Sequence, residues 1–145
     1  MPGFELIGEE ERQAVNELFD DGGVLFAHGF DNMRNNRYHV REFERKFADY
    51  LGVKYAQAVS SGTAALKIAL IALGVKPGDE VITQAFTFIA TAEAIIDIGA
   101  KPVFVNIDET LNMDPNELES TITAKTTAII PVHMLGVAAD QNITC

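Results

Sequence analysis

The chain has 145 residues, 48% of them hydrophobic, which is enough to bury one compact core. Acidic residues outnumber basic ones 21 to 11, and the net charge of −10 argues against a nucleic-acid partner, because such partners are bound by lysine and arginine. There is no signal-peptide pattern, no apolar run of membrane-spanning length, and only one cysteine, Cys145, so we expect a cytoplasmic protein without a membrane partner.

The amino-terminal 39 residues are predicted to form one helix and one long loop. Residues 8–21 carry apolar side chains at helical spacing behind an acidic first turn, which the helix dipole favours. Residues 24–39 show no clear period and are rich in Asn, Gly, Arg and aromatic residues, which indicates an exposed loop. We therefore distinguish an amino-terminal segment, 1–39, from the remainder, 40–145.

From residue 40 onward, helical and strand-like stretches alternate. The predicted helices are 40–51, 63–73, 88–98 and 115–122, and the predicted strands are 55–59, 80–84, 102–106 and 127–133. This alternation predicts an α/β fold with a parallel-type sheet and crossover helices. The helix 63–73 is apolar nearly all round, so we expect it to be buried on both sides.

A turn of small residues, in the sequence VSSGTAAL, joins the first predicted strand to its helix. Ser61, Gly62 and Thr63 lie where the first amides of a helix lack partners and the helix dipole is positive, which favours an anion such as a phosphate. Ordinary helix capping by Ser or Thr accounts for the same residues equally well. The turn matches neither the G-x-G-x-x-G nor the Walker pattern, which argues against the usual dinucleotide and nucleotide sites.

Two further segments follow strand ends and are expected at the same edge of the sheet. In TQAFTFIATAEAI, Phe86 and Phe88 either stack on a flat heteroaromatic ligand or pack in the core. In PVHMLG, His133 is either a polar contact or proton carrier at a site or a structural histidine. The three histidines are dispersed along the chain, so we predict no metal site.

These segments, in this order, resemble the DegT/DnrJ/EryC1/StrS family of sugar aminotransferases, which use pyridoxal 5′-phosphate and have the fold type I, aspartate aminotransferase-like large domain. The similarity runs from about residue 40 to about residue 140 and is carried by SGTAAL, GDEVI, TFIAT, PVFV and PVH. It implies that Ser61, Gly62 and Thr63 hold the cofactor phosphate and that Phe88 stacks on the pyridine ring. His133 matches a family position near the cofactor cleft.

The amino-terminal segment is more similar to the branch of this family that aminates the terminal carbon of an octulosonate sugar. In the family this segment borders the sugar site, which implies that Arg34, Asn36, Arg37 and Tyr38 contact a carboxylated or polyhydroxylated keto sugar. An ordinary solvated loop is the alternative. The resemblance also implies glutamate or glutamine as the amino donor and a homodimer for the full-length enzyme.

Transamination requires a Schiff-base lysine, which in this family lies downstream of the PVH segment. The six lysines of this sequence are Lys46, Lys54, Lys67, Lys76, Lys101 and Lys125. They fall on helix faces and in turns that the family pattern does not use, so we expect no catalytic residue here. The chain is interpreted as the cofactor-binding half of an aminotransferase that is truncated. We expect it to be inactive alone and to form oligomers or be poorly soluble. The alternatives are a non-catalytic phosphate-binding module and an inactive remnant.

Overall fold

The computed structural model describes residues 3–140, which form two compact units that divide between Ala58 and Val59. The first unit contains the helices α1 (Glu9–Asp20) and α2 (His39–Leu51), with a short 3-10 turn at Asp31–Met33 between them. The second unit contains α3 (Gly62–Ala72), β1 (Glu80–Gln84), α4 (Ile89–Asp97), β2 (Lys101–Val105), α5 (Pro115–Thr121) and β3 (Thr126–Ile130). The predicted functional division at residue 39 stays a prediction, and α2 lies in the first unit.

The predicted amino-terminal helix is confirmed as α1, and specific contacts fix both of its ends. At its start, the N–H of Gly8 donates to Oε2 of Glu11 at 2.7 Å, and this hydrogen bond lowers the pKa of the Glu11 carboxyl. At its end, Gly22 has a φ of 98°, and a Cβ there would lie 2.0 Å from the carbonyl oxygen of Met33. Only glycine fits this turn, which packs directly on the backbone of the following loop.

The sheet has the strand order β2-β1-β3 with both pairings parallel, which confirms the predicted parallel sheet. The middle strand β1 is buried on both faces. Val81 packs with Leu70 and Ile95 on one face, whereas the next residue, Ile82, packs with Leu118 on the other. Helices α3 and α4 therefore cover one face and α5 covers the other. Two right-handed crossovers that run in opposite directions along the sheet produce this arrangement: α4 connects β1 to β2, and α5 connects β2 to β3 on the other side of β1.

Two sequence-based strand predictions are corrected. Residues 55–59 alternate between exposed and partly buried positions, as an extended segment does, but they form no strand, because they make no ladder of backbone hydrogen bonds to any of the three strands in residues 3–140. The last strand ends at Ile130, not at His133, because the N–H of Val132 bonds to a side chain instead of a neighbouring strand.

The prediction that the helix 63–73 is buried on both sides is wrong for the chain as described. In α3 only Leu70 is fully buried, while Ile68 and Ile71 are 49% and 55% exposed. One face packs on α4 and the sheet, and the other is an exposed apolar face. Across residues 3–140, none of the helices is both long enough and apolar enough to pass through a bilayer.

Candidate cofactor site

The sheet topology makes the carboxyl ends of β1 and β3 the candidate ligand-binding edge. From β1 the chain moves to β2 on one side and then crosses to β3 on the other. In open α/β sheets, ligands bind at such a reversal of strand order, beyond the carboxyl ends of the strands. Two predicted site residues lie in the segments that leave this edge: Phe88 after β1 and His133 after β3.

The start of α3 combines a completed cap with two N–H groups that have no acceptor. The Oγ of Ser61 accepts a hydrogen bond from the N–H of Ala64 at 3.1 Å, so the capping interpretation is correct. Within residues 3–140 the N–H groups of Gly62 and Thr63 have no protein acceptor. Apart from its chain neighbours and the backbone of its own helix, no atom of residues 3–140 lies within 4 Å of the place that a Cβ on Gly62 would take. The corner therefore has the donors, the dipole and the room that an anion requires.

Phe88 is the residue before α4, and its side chain is 76% exposed. It is therefore not part of either hydrophobic core, which removes the packing interpretation for this residue within the described chain. Its carbonyl accepts a hydrogen bond from the N–H of Thr91 at 3.0 Å, which fixes the backbone that carries the ring. Helices α3 and α4 pack together, and Lys67 of α3 pairs with Asp97 of α4 at 3.2 Å. The stacking role of Phe88 stays a prediction.

His133 is exposed and its ring is oriented by the backbone. Its Nδ1 accepts a hydrogen bond from the N–H of Ala139 at 2.9 Å. An accepting Nδ1 carries no proton, so the proton of the neutral ring is on Nε2. This contact gives the ring a defined tautomer at the carboxyl edge of the sheet, while its proximity to a cofactor stays a prediction.

Gln84, the last residue of β1, was missed by the sequence analysis although it organises this edge. Its side chain is fully buried, with Nε2 donating to the carbonyls of Phe86 and Leu111, each at 3.0 Å. Its Oε1 accepts from the N–H of Val132 at 3.0 Å. The amide thus joins the segments that carry Phe88 and His133. The sequence feature that could have indicated this role is the position of Gln84, a polar residue at the end of an apolar strand.

Asn112 has a similar role between β2 and β3. It is 1% exposed, and its Oδ1 accepts from the N–H of Met134 at 2.8 Å. Its Nδ2 donates to Oγ1 of Thr110 at 3.0 Å. Together the two buried amides hold three loops at the carboxyl edge, because each unmade bond would leave a buried polar group without a partner.

The predicted sugar-side residues lie in the first unit, and one of them departs from the exposed loop expected there. Arg34 is only 6% exposed. Its Nη2 donates to the carbonyl of Phe26 and, at 3.5 Å, to that of Val24. Its guanidinium carbon lies 4.8 Å from the ring centroid of Tyr38. The guanidinium carbon of Arg41 lies 4.0 Å from the same centroid. The partners of Arg34 are thus two backbone carbonyls and an aromatic ring, and no sequence pattern predicts contacts of this kind.

The other two predicted sugar-side residues are exposed. Arg37 forms an ion pair with Asp21, and its own N–H donates to the carbonyl of Arg34 at 2.8 Å. Asn36 has a φ of 57°, and its N–H donates to the carbonyl of Asp31 at 3.1 Å. No group of three or more metal-binding side chains occurs in the part of the chain that the structure describes.

Comparison with known proteins finds similar sequences and similar solved structures, each matched over most of this chain. The chain is 46% identical over 138 residues to the spore coat polysaccharide biosynthesis protein SpsC of Bacillus subtilis, covering 94% of this chain and 33% of that protein. It is 50% identical over 113 residues to the UDP-2-acetamido-2-deoxy-3-oxo-D-glucuronate aminotransferase of Pseudomonas aeruginosa, covering 74% of this chain and 32% of that one. The crystal structure of NtdA from Bacillus subtilis with bound cofactor PMP superposes with a TM-score of 0.79 at 37% identity, covering 95% of this chain and 31% of that one.

The chain thus spans about a third of the length of the curated relatives that it matches. The described α/β unit is a partial fold type I domain, as the resemblance implied. The model of the DegT/DnrJ/EryC1/StrS aminotransferase family matches residues 7–143, nearly the whole sequence. This chain belongs to that family.

Proposed function

We propose that this chain supplies the phosphate-holding part of a sugar aminotransferase that depends on pyridoxal 5′-phosphate. The observation that carries the proposal is the start of α3, where Gly62 and Thr63 present N–H groups without protein acceptors among residues 3–140 and open space adjoins Gly62. A phosphate monoester suits this corner because helix-start amides and hydroxyls donate to its oxygens. The PMP bound in the related NtdA structure supports the choice of cofactor.

Each residue has a distinct role in this proposal. Gly62 and Thr63 bind the phosphate through their N–H groups, with the hydroxyls of Ser61 and Thr63 beside them. Phe88 supports one flat face of the pyridine ring by stacking. His133, oriented by Ala139, lies on the same edge of the sheet. When bound, the cofactor supplies the electron sink that allows an amino group to be transferred.

The proposed reaction passes an amino group from glutamate or glutamine to a keto sugar, in a cytoplasmic homodimer of the whole enzyme. The name of the Pseudomonas relative, which is a 3-oxo-glucuronate aminotransferase, supports a keto-sugar substrate. Arg34, Asn36, Arg37 and Tyr38 are the proposed contacts on the sugar side. The octulosonate branch stays a prediction from the amino-terminal sequence.

The phosphate site can be tested without forming any covalent adduct, by using pyridoxine 5′-phosphate, which lacks the aldehyde. We expect the chain to bind it at least about tenfold more tightly than pyridoxine, since hydrogen bonds to a charged group contribute about 1.5–3 kcal/mol. Gly62→Pro removes one N–H at a position where proline is compatible with a helix start, and Ser61 before it is extended, as proline requires. Isothermal titration calorimetry measures both effects.

Gly62→Ala is the matched control, because it adds a Cβ but keeps the N–H. The proline variant should bind the phosphate ester more weakly than the alanine variant, while both bind pyridoxine alike. Equal affinity of the unaltered chain for pyridoxine and its phosphate would contradict the proposal. Tight binding of inorganic phosphate with no gain from the pyridine ring would favour the non-catalytic phosphate-binding module instead.

We also propose that these 145 residues do not transaminate alone. Three of the six lysines form ion pairs with carboxylates: Lys46, Lys67 and Lys101. We expect borohydride treatment in the presence of pyridoxal 5′-phosphate to label several lysines weakly, without turnover of glutamate and a keto sugar. A single trapped lysine together with turnover would contradict this expectation.

A further inference from the structure

The first unit contains a cavity of about 130 Å³ that the cofactor proposal does not use. Its wall is formed by the end of α1, the loop after it and the start of α2, including Leu18, Asp21, Arg34 and His39. Most of the remaining wall is apolar. A cavity of this size holds a group of about six non-hydrogen atoms, since one of about 150 Å³ accepts benzene.

Arg34 brings a buried positive charge to this cavity without a carboxylate partner. Of the ion pairs within residues 3–140, none includes Arg34, whereas the nearby Arg37 is already paired with Asp21. Only Nη2 of Arg34 has protein acceptors, and its fully buried Nε has none among the described residues. A buried guanidinium ordinarily pairs with an anion that accepts from its fork of N–H groups.

The start of α2 adds a second feature that favours an anion. The first two residues of this 13-residue helix, His39 and Val40, line the cavity. Tyr38 provides no side-chain cap, and within the described chain the N–H groups of His39 and Val40 have no acceptor. The positive end of the helix dipole therefore lies at the same cavity wall as the unpaired guanidinium.

We propose that this cavity binds a carboxylate on a small carbon body, such as the acid end of a sugar acid. One uncompensated charge, that of Arg34, balances one carboxylate, whereas a phosphate monoester carries between one and two negative charges at neutral pH. The planar fork of the guanidinium matches the two oxygens of a carboxylate, and the apolar wall suits the attached carbons. The inference rests on the proposed function, because it names the class of sugar that the aminotransferase takes.

The test compares D-glucuronate with D-glucose, which differ only by a carboxylate in place of a CH₂OH group. ¹H–¹⁵N NMR of the unaltered 145-residue chain follows the Nε–H of Arg34 and the amides of His39 and Val40. We expect glucuronate, and not glucose, to shift these three signals. Arg34→Met should weaken glucuronate binding by about tenfold or more, as loss of hydrogen bonds to a charged group does.

Arg12→Gln is the control variant, since Arg12 is an exposed arginine on α1 that pairs with Glu9 away from the cavity wall. It should bind glucuronate within about twofold of the unaltered chain, as expected for a surface residue. Equal shifts with glucose and glucuronate would overturn the proposal, and so would a tighter response to D-glucose 6-phosphate at these signals. Because pyridoxine 5′-phosphate is read at the amides of Gly62 and Thr63, failure of the cofactor site is seen separately.

Discussion

The two compact units differ in what they bury. In residues 59–140, apolar side chains from both faces of β1 form two cores, and Ile82, Ile95 and Leu118 are at most 1% exposed. In residues 3–58, only Ala48 and Arg34 are buried. The α/β unit is therefore held by apolar burial across distant parts of the chain. The helical unit depends on turns, local contacts and one arginine, which is typical of regions that open at low free-energy cost.

The largest expected effect tests the apolar core of the α/β unit. Ile95 is fully buried in α4, while its neighbour Ile96 is 58% exposed on the same helix. Ile95→Ala should lower the free energy of unfolding by about 2–5 kcal/mol, because it removes buried methyl groups and leaves a cavity. Ile96→Ala should change it by less than about 0.5 kcal/mol. Urea unfolding followed by circular dichroism measures both, and similar losses would mean that the exposed face of α4 is covered.

A smaller effect tests whether turns hold the helical unit. Gly22 and Gly23 both have positive φ, but only at Gly22 would a Cβ meet another atom, the carbonyl oxygen of Met33 at 2.0 Å. Gly22→Ala should therefore cost about 1–3 kcal/mol more than Gly23→Ala, since the backbone must shift to relieve the contact. Hydrogen exchange of the α1 amides reads this local stability. Equal exchange in the two variants would show that the turn does not anchor the helix.

The smallest expected effect is on the pKa of a carboxylate. It compares Glu80, whose hydrogen-bond partner is distant in the sequence, with Glu11, whose partner is three residues away. A hydrogen bond from the Thr123 hydroxyl, at 2.7 Å, lowers the pKa of Glu80, with the ammonium of Lys101 adding to it. Because the folded pKa lies below the unfolded one, this contribution is present above the ordinary pKa of a glutamate. It is lost as the pH falls through the lowered value.

Thr123→Val should raise the pKa of Glu80 toward its ordinary value, as measured by ¹³C NMR titration of the carboxylates. The pKa of Glu11, which the nearby Gly8 N–H lowers, should stay unchanged. Thr127→Val is the control, since it removes an exposed hydroxyl whose one partner within residues 3–140 is the Lys125 carbonyl. A pKa of Glu80 that is the same in all three chains would assign the effect to the ammonium groups of Lys101 and Lys125.

The difference between local and long-range contacts also explains which features of the fold the sequence predicts. The strand β1 falls at its predicted residues, because apolar residues between turn signals identify a central buried strand. Residues 55–59 have the strand pattern but pair with no strand in residues 3–140, and pairing depends on distant segments that a local pattern does not show. The corner at Ser61–Thr63 is visible in the sequence as a helix start, because capping is a local property. Gln84 and Arg34 were missed as buried organising residues, because their partners are backbone carbonyls that only the fold brings near.

The cap at Ser61 has a consequence for how quickly an anion is taken up. Since its Oγ already accepts a hydrogen bond from the Ala64 N–H, we expect the first turn of α3 to keep its conformation with or without a bound anion. In the proposed site, a phosphate would meet donors whose directions are set in advance, so its binding would cost little conformational entropy. If the corner is the phosphate site, we expect the rate of binding to be set by diffusion and by access to the corner, and not by a slow rearrangement of the polypeptide.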